Sequence, residues 1–186
     1  MRLGEKYKKE VLPKLMEKFD YKSIMAVPKI KKVVVNSSFG KRASGKDSSE
    51  RDKIINNTIE VLKNITGQQP KLTKARISIS SFKLREGVSV GAKVTLRGKK
   101  MFGFLEKLIS VVLPRTRDFQ GISLKSLDKN GNLTIGFEEY GPFPEVIAER
   151  EKNIFGLEVT IVTKAENREE SLELLKLMGV PFKKES

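Results

Sequence analysis

Apolar residues recur along this chain in two rhythms, near every third or fourth position and at every second, and the switches between them mark out helices and strands. Tyr7, Val11, Leu12, Leu15, Met16 and Phe19 stand at near-helical spacing, which predicts an N-terminal helical segment over about residues 1–22 with Pro13 opening a new turn. Residues 33–36, Val-Val-Val-Asn, read as a strand that the glycine and serine cluster of residues 40–49 brings to an end. Ser48 or Ser49 can then cap a helix whose apolar stripe is Ile54, Ile55, Ile59, Leu62 and Ile65, with Gly67 as its stop. Residues 71–76 and 88–97 look like two strands joined by a long basic connection. A second long helix follows through Phe102, Leu105, Leu108, Ile109 and Val112, closed by Pro114.

Residues 122–127 and 133–137 flank Asp128-Lys129-Asn130-Gly131, and Asn-Gly supplies the positive backbone angles of a tight hairpin. Residues 156–163 give another alternating strand. The last helix is predicted to start at Asn167, with Glu170 three residues on as the asparagine form of a capping box, and to end at Gly179 and Pro181. Interspersed helices and strands with a hairpin among them predict an α+β fold, a single domain over residues 1–186. Its sheet should be mostly antiparallel, with helices packed on one face and an exposed polar, basic face opposite.

The strand over residues 88–97 decides where that second face points. Val88, Val90, Ala92, Val94 and Leu96 alternate with Ser89, Gly91, Lys93, Thr95 and Arg97, so one side packs and the other stays polar. On the polar side Lys93 and Arg97 suit phosphates, and Thr95 suits a ribose hydroxyl or a base edge. An ordinary solvated sheet face would read the same way. The row carries no aromatic residue, so it lacks the stacking platform of single-strand binders, and folded RNA fits it better.

Charge sharpens this picture. The 186 residues carry a formal net charge of +14, and residues 69–100 hold nine lysines and arginines against the single acid Glu86. Unneutralised charge of that density repels itself unless a polyanion lies close, which points to nucleic acid. Residues 29–46 add Lys29, Lys31, Lys32, Lys41, Arg42 and Lys46 with no acid, so two basic runs could share one face, whereas residues 138–170 are rich in glutamate. The chain has no cysteine and no histidine, which removes disulfides, thiol catalysis, the usual zinc ligands and the usual neutral-pH general base. No apolar run approaches the ~20 residues of a membrane span, and no secretory core follows Met1. These features predict a soluble, intracellular protein with no membrane association, and no cofactor, catalytic site or metal site is expected of it.

One motif argues for another class. Gly40-Lys41-Arg42-Ala43-Ser44-Gly45-Lys46 follows a strand and precedes a helix, like a phosphate-cradling loop, but Asp47 occupies the place of the magnesium-binding hydroxyl. A nucleotide-dependent enzyme built on Gly45-Lys46 is therefore the alternative reading, and a stand-alone RNA chaperone a third. Glu138 and Glu139 could be offered as an acid/base pair, yet neighbours in a strand point to opposite faces.

The chain resembles, over nearly its whole length, the universal ribosomal protein number five of the large subunit, of bacterial type. The likeness rests on Val27-Pro28-Lys29-Ile30 leading to Val35-Asn36, on Gly67-Gln68, on Thr73-Lys74-Ala75-Arg76 and on Phe82-Lys83-Leu84-Arg85-Glu86-Gly87. It continues through Gly91-Ala92-Lys93-Val94-Thr95-Leu96-Arg97-Gly98, Leu113-Pro114-Arg115, Arg117-Asp118-Phe119, Phe143-Pro144-Glu145 and Gly179-Val180-Pro181-Phe182. The resemblance implies a non-catalytic structural constituent of the large ribosomal subunit that binds 5S rRNA in the central protuberance. Asn36, Gln68 and Thr95 would hydrogen bond that RNA, with Lys93 and Arg97 as phosphate contacts.

It further implies that the connection over residues 75–87 reaches the elbow of peptidyl-site tRNA, with Lys74, Arg76, Ser78, Phe82, Lys83 and Arg85 as its contacts. Other central-protuberance ribosomal proteins and a small-subunit head protein across an intersubunit bridge would be its protein partners. Four positions depart from the family pattern: Ser38 stands where a glycine is usual, Gln69 and Gln120 where basic residues are common, and Phe155 where arginine is usual.

Overall fold

The computed structural model describes residues 2–82, 84–146 and 154–183. Five strands, β1 (Lys29–Ser38), β2 (Lys71–Lys74), β3 (Ser89–Leu96), β4 (Leu133–Phe137) and β5 (Leu157–Lys164), form one antiparallel sheet in the order β2-β3-β1-β5-β4. The α+β class and the antiparallel sheet are as expected. β2 and β4 are the edge strands, and β2 meets β3 with Lys71 opposite Lys93, Leu72 opposite Ala92 and Thr73 opposite Gly91.

By its internal packing the chain falls into two compact units: residues Met1–Val33, Leu96–Ile135 and Thr160–Ser186, and residues Val34–Thr95 and Gly136–Val159. In the first unit, α1 (Leu3–Lys6) runs through a π-helical turn, Tyr7–Val11, into α2 (Leu12–Phe19). A second run of this kind leads from α5 (Gly98–Lys107) through the π turn Leu108–Val112 into α6 (Leu113–Arg115). Pro13 and Pro114 each lie in the first turn after a π segment. A proline has no N–H to donate and its ring crowds the carbonyl four residues back, and a wider turn just before it accommodates both effects. Pro114 therefore does not close its helix, as the sequence had suggested; the helix ends at Thr116.

The predicted hairpin over residues 122–137 is also corrected. Only β4 is a strand; Leu127 and Leu133 share a single antiparallel bridge, and residues Leu124–Ser126 form a 3-10 turn. The backbone of Ile122 pairs instead with the chain's far end, its N–H donating to Pro181 at 2.8 Å and its carbonyl accepting from Lys183 at 3.0 Å. The last helix, α7 (Arg168–Met178), has Asn167 as its N-cap without a side-chain capping bond, and the Glu170 carboxylate accepts from the Glu166 N–H at 3.0 Å. Burial raises the Tyr21 hydroxyl above its ordinary pKa, and the Glu170 and Glu166 carboxylates push it the same way.

In the second unit, α3 (Gly40–Ala43) precedes α4 (Ser48–Thr66), whose N-cap is Asp47 rather than Ser48 or Ser49. The α4 residues Ile54, Val61, Leu62 and Ile65 are buried, as are the inward strand residues Val35, Ala92, Val94, Leu157 and Val159. Phe39, Tyr140, Phe143 and Phe155 complete that core, with Phe137 edge-on to Phe143 at 5.6 Å. Each such large side chain removed from water contributes roughly 1.5–3 kcal/mol. Among the described residues no helix is long and apolar enough to cross a membrane.

Candidate nucleic-acid interface

From Ala92 to Leu96 the two-residue alternation of β3 holds: Ala92, Val94 and Leu96 are buried, Lys93 is exposed and Thr95 is half-buried. Toward the start of the strand the pattern expected over residues 88–97 fails. The register slips between Thr73 and Lys74, so that Lys74 stands opposite Ser89 and Val90 is the extra residue of a bulge. The Val90 carbonyl turns to accept from the Phe39 N–H at 3.0 Å and the Ser38 hydroxyl at 3.3 Å. Val88 and Val90 are consequently not in the inward row but line a cleft, with Val90 half-buried.

Gly91 lies in the outward row but is buried. A Cβ placed there would meet the Ser37 carbonyl oxygen at 2.8 Å and the Thr73 hydroxyl at 2.9 Å. Only glycine lets β1 and the Thr73 side chain close over this point.

Gln68 is set by the end of α4. Gly67 closes the helix with a φ of 63° and its N–H donates to the Lys63 carbonyl at 2.8 Å. The chain then turns so that the Gln68 amide nitrogen donates to the Thr95 carbonyl at 3.2 Å. One of the two amide protons is used in this way, leaving the other and the amide oxygen for a partner. Asn36 sits half-buried in the outward row of β1, between the buried Val35 and Ser37, and its amide has no side-chain hydrogen-bond partner among the described residues. Ser37, pointing inward, donates to the Gly156 carbonyl at 2.8 Å. The second unit thus contains Asn36, Gln68, Lys93 and Thr95, while Arg97 belongs to the first, where it is exposed and donates to the Lys31 carbonyl at 3.5 Å.

The basic connection is more ordered than its composition suggests. At its base the Ala75 N–H donates to Val88 at 2.8 Å and the Gly87 N–H to Ala75 at 3.0 Å. Near its tip Ile79 and Leu84 exchange bonds of 2.9 and 3.1 Å around the 3-10 turn Ser80–Phe82, and the Glu86 N–H donates to the Ser78 hydroxyl at 2.9 Å. Of the residues assigned to tRNA, Ser78 and Phe82 are exposed, and Lys83 lies outside the described residues. Lys74, Arg76 and Arg85 also reach the surface of the connection. The tip presents two large apolar side chains, Ile77, 65% exposed, and Phe82, 69% exposed. Phe82 is among the contacts that the family resemblance implies; Ile77 is not.

The Gly40-to-Lys46 segment does not form a phosphate cradle. Its first half is the helical turn α3, and Gly45 alone takes the left-handed conformation, with a φ of 74°. Arg42 turns inward, its guanidinium carbon 5.4 Å from the Phe155 ring centre and its terminal nitrogens buried, so it is withdrawn from the exposed basic run. Lys46 pairs with Glu50 at 3.7 Å. The Ser44 hydroxyl donates to the Phe82 carbonyl at 3.0 Å, and Gly40, Lys46, Arg51, Arg85 and Val90 are among the residues bordering a cleft of about 180 Å³. The two basic runs therefore meet in this unit, a question that their sequence separation left open.

Three of the four departures from the family pattern make local contacts, and nothing in the structure explains the fourth, Gln69. Ser38 holds the bulge carbonyl, and Gln69 is at the surface. Gln120 accepts from Lys183 at 3.2 Å, and Phe155 is buried against Tyr140 with ring centres 4.8 Å apart.

A family model described as Ribosomal protein L5 matches residues 23–85, and a second, described as the C-terminus of that ribosomal family, matches residues 89–182. The Large ribosomal subunit protein uL5 of Halothermothrix orenii is 52% identical over 180 residues, covering 97% of this chain and 97% of its own length. Two models of one family, in order along the chain, and a relative of that closeness lead to one conclusion: the chain belongs to the ribosomal protein L5 family.

Proposed function

We propose that this chain fastens 5S rRNA into the central protuberance of the large ribosomal subunit, reading it through Asn36, Gln68 and Thr95 with Lys93 and Arg97 on phosphates. Membership of the family makes it a structural, non-enzymatic constituent of the large subunit in the cytoplasm. The finer assignment rests on one observation above all: Gln68 is tied to the Thr95 backbone while Lys93, next but one along the strand, stands exposed. Fixed hydrogen-bonding groups beside a cation suit folded RNA, because phosphates set register and polar groups supply selectivity.

The connection over residues 75–87 serves peptidyl-site tRNA in the same proposal. Its internal bonds order the backbone that carries Arg76, Arg85 and the exposed Phe82, a cationic and aromatic combination suited to an RNA elbow. Contacts with neighbouring central-protuberance proteins and with a small-subunit head protein complete the assignment.

The test is a salt titration of binding to folded 5S rRNA beside a tRNA and a scrambled RNA of equal length. Phosphate contacts make log affinity fall with log salt, at a slope of roughly −0.7 to −0.9 per neutralised phosphate. A 5S preference that persists at high salt, and that Thr95→Val abolishes, is the expected result. Equal binding of all three RNAs with parallel slopes would overturn the recognition role.

A further inference from the structure

Lys71 and Lys93 stand directly opposite each other across the β2/β3 pair, in the same outward row as Thr73 and Thr95, and both are exposed. Directly opposed residues of an antiparallel pair have Cβ atoms about 4.5–5.5 Å apart, and like charges there destabilise the pairing. Nothing close by in the row offsets them. Thr73, Gly91 and Thr95 are neutral, and Glu158 lies on β5, two strands from β3. The repulsion falls on the weakest part of the sheet, since β2 has four residues, is an edge strand and is bonded on one side only.

We propose that Lys71 and Lys93 form a clamp for a single RNA backbone phosphate, so that the free protein carries a strained pair of like charges that the bound phosphodiester relieves. The proposal rests on the RNA-binding reading above and adds Lys71 to it as a binding residue. An ammonium group on each side of one phosphate exchanges repulsion for two attractions. A lysine on an edge strand also discourages strand addition, but that role needs no second lysine opposite it.

The experiment uses the full chain and its Lys71→Gln, Lys93→Gln and doubly substituted variants. Removing either charge is expected to raise the melting temperature of the free protein by about 1–3 °C at low salt, with little further gain in the double variant and little gain at high salt. The double change is expected to lower the salt slope of 5S rRNA binding by about one phosphate, and each single change by a smaller amount. Inorganic phosphate, compared with chloride at equal ionic strength, separates the two sources of the anion. A gain in melting temperature with RNA alone supports a site built for the diester, whereas a gain with inorganic phosphate and an unchanged RNA slope overturns the RNA clamp. Unaltered melting temperature and slope in Lys71→Gln also overturn it. If wild-type protein showed no preference for 5S rRNA but the melting and slope effects persisted on other RNAs, the recognition reading would fail and the clamp would stand.

Discussion

The side-chain amide of Gln68 donates to the backbone carbonyl of Thr95 at 3.2 Å, joining the end of a helix to the far part of a strand. One proton therefore gives rigidity to a residue whose remaining groups stay available to a partner. Gln68→Ala should cost about 0.5–1.5 kcal/mol in urea denaturation. Gln68→Glu should cost more at neutral pH, because it sets a carboxylate against a carbonyl with no donor between them. Both should weaken 5S rRNA binding, and equal stability of the two variants would contradict this account of the bond.

Gly91→Ala tests the close approach beside Lys93. Its new methyl group would stand 2.8 Å from the Ser37 carbonyl and 2.9 Å from the Thr73 hydroxyl, so β2 or β1 must shift. A loss of about 1–3 kcal/mol is expected. Amide hydrogen exchange should quicken in β2 and in Ser37 and Ser38 before it does in α4.

The exposed tip of the connection should separate two RNA activities. Phe82→Ala removes a side chain that is 69% exposed, so stability should stay within about 0.5 kcal/mol of wild type. Affinity for tRNA should fall roughly tenfold, within the range for one lost base–aromatic contact. Binding of 5S rRNA should be unchanged; a parallel loss of both would place Phe82 in a shared surface.

Asp128 gives a prediction in pH. Burial alone would raise its carboxyl pKa, but bonds from the Asn132 side chain and backbone, and from the Asn130 and Gly131 backbone, outweigh that and hold it below the ordinary value. The Asn132 N–H approaches at 2.7 Å and its side-chain amide at 2.8 Å. A depressed folded pKa stabilises above the unfolded value of about 3.9 and ceases to do so as pH falls through the folded one. Asp128→Ala should therefore cost under about 1 kcal/mol at neutral pH, the group being exposed, and the gap from wild type should close below about pH 4. Thermal melts at pH 7 and pH 3 check this.

Much of the fold was legible because one period dominates each element. The stripe ending at Ile65 and Gly67 gave α4, and the alternation from Ala92 to Leu96 gave the part of β3 that carries Lys93 and Thr95. Pairing across strands was not legible. That Lys71 faces Lys93 depends on a register shared by two segments well separated in sequence, and the bulge at Val90 has no mark in a run of alternating valines. The false hairpin had a similar cause. Asn130-Gly131 does make a tight turn, with the Gly131 N–H donating to Asp128 at 3.2 Å, but Ile122 takes its partners from Pro181 and Lys183, which no local pattern records. Asn36 and Gln68 were reached through family likeness, since an isolated amide carries no periodic signal.

The extra residue at Val90 acts as a phase joint between two parts of the chain that would serve different RNAs. In an uninterrupted strand, gaining or losing one residue ahead of Gly91 within β3 would force a choice between a broken ladder and an inverted row, turning Lys93 and Thr95 inward. A bulge can be created, moved or erased to absorb that change locally. A one-residue change in β3 ahead of Gly91 can thus be absorbed while the side chains from Gly91 onward keep their facing.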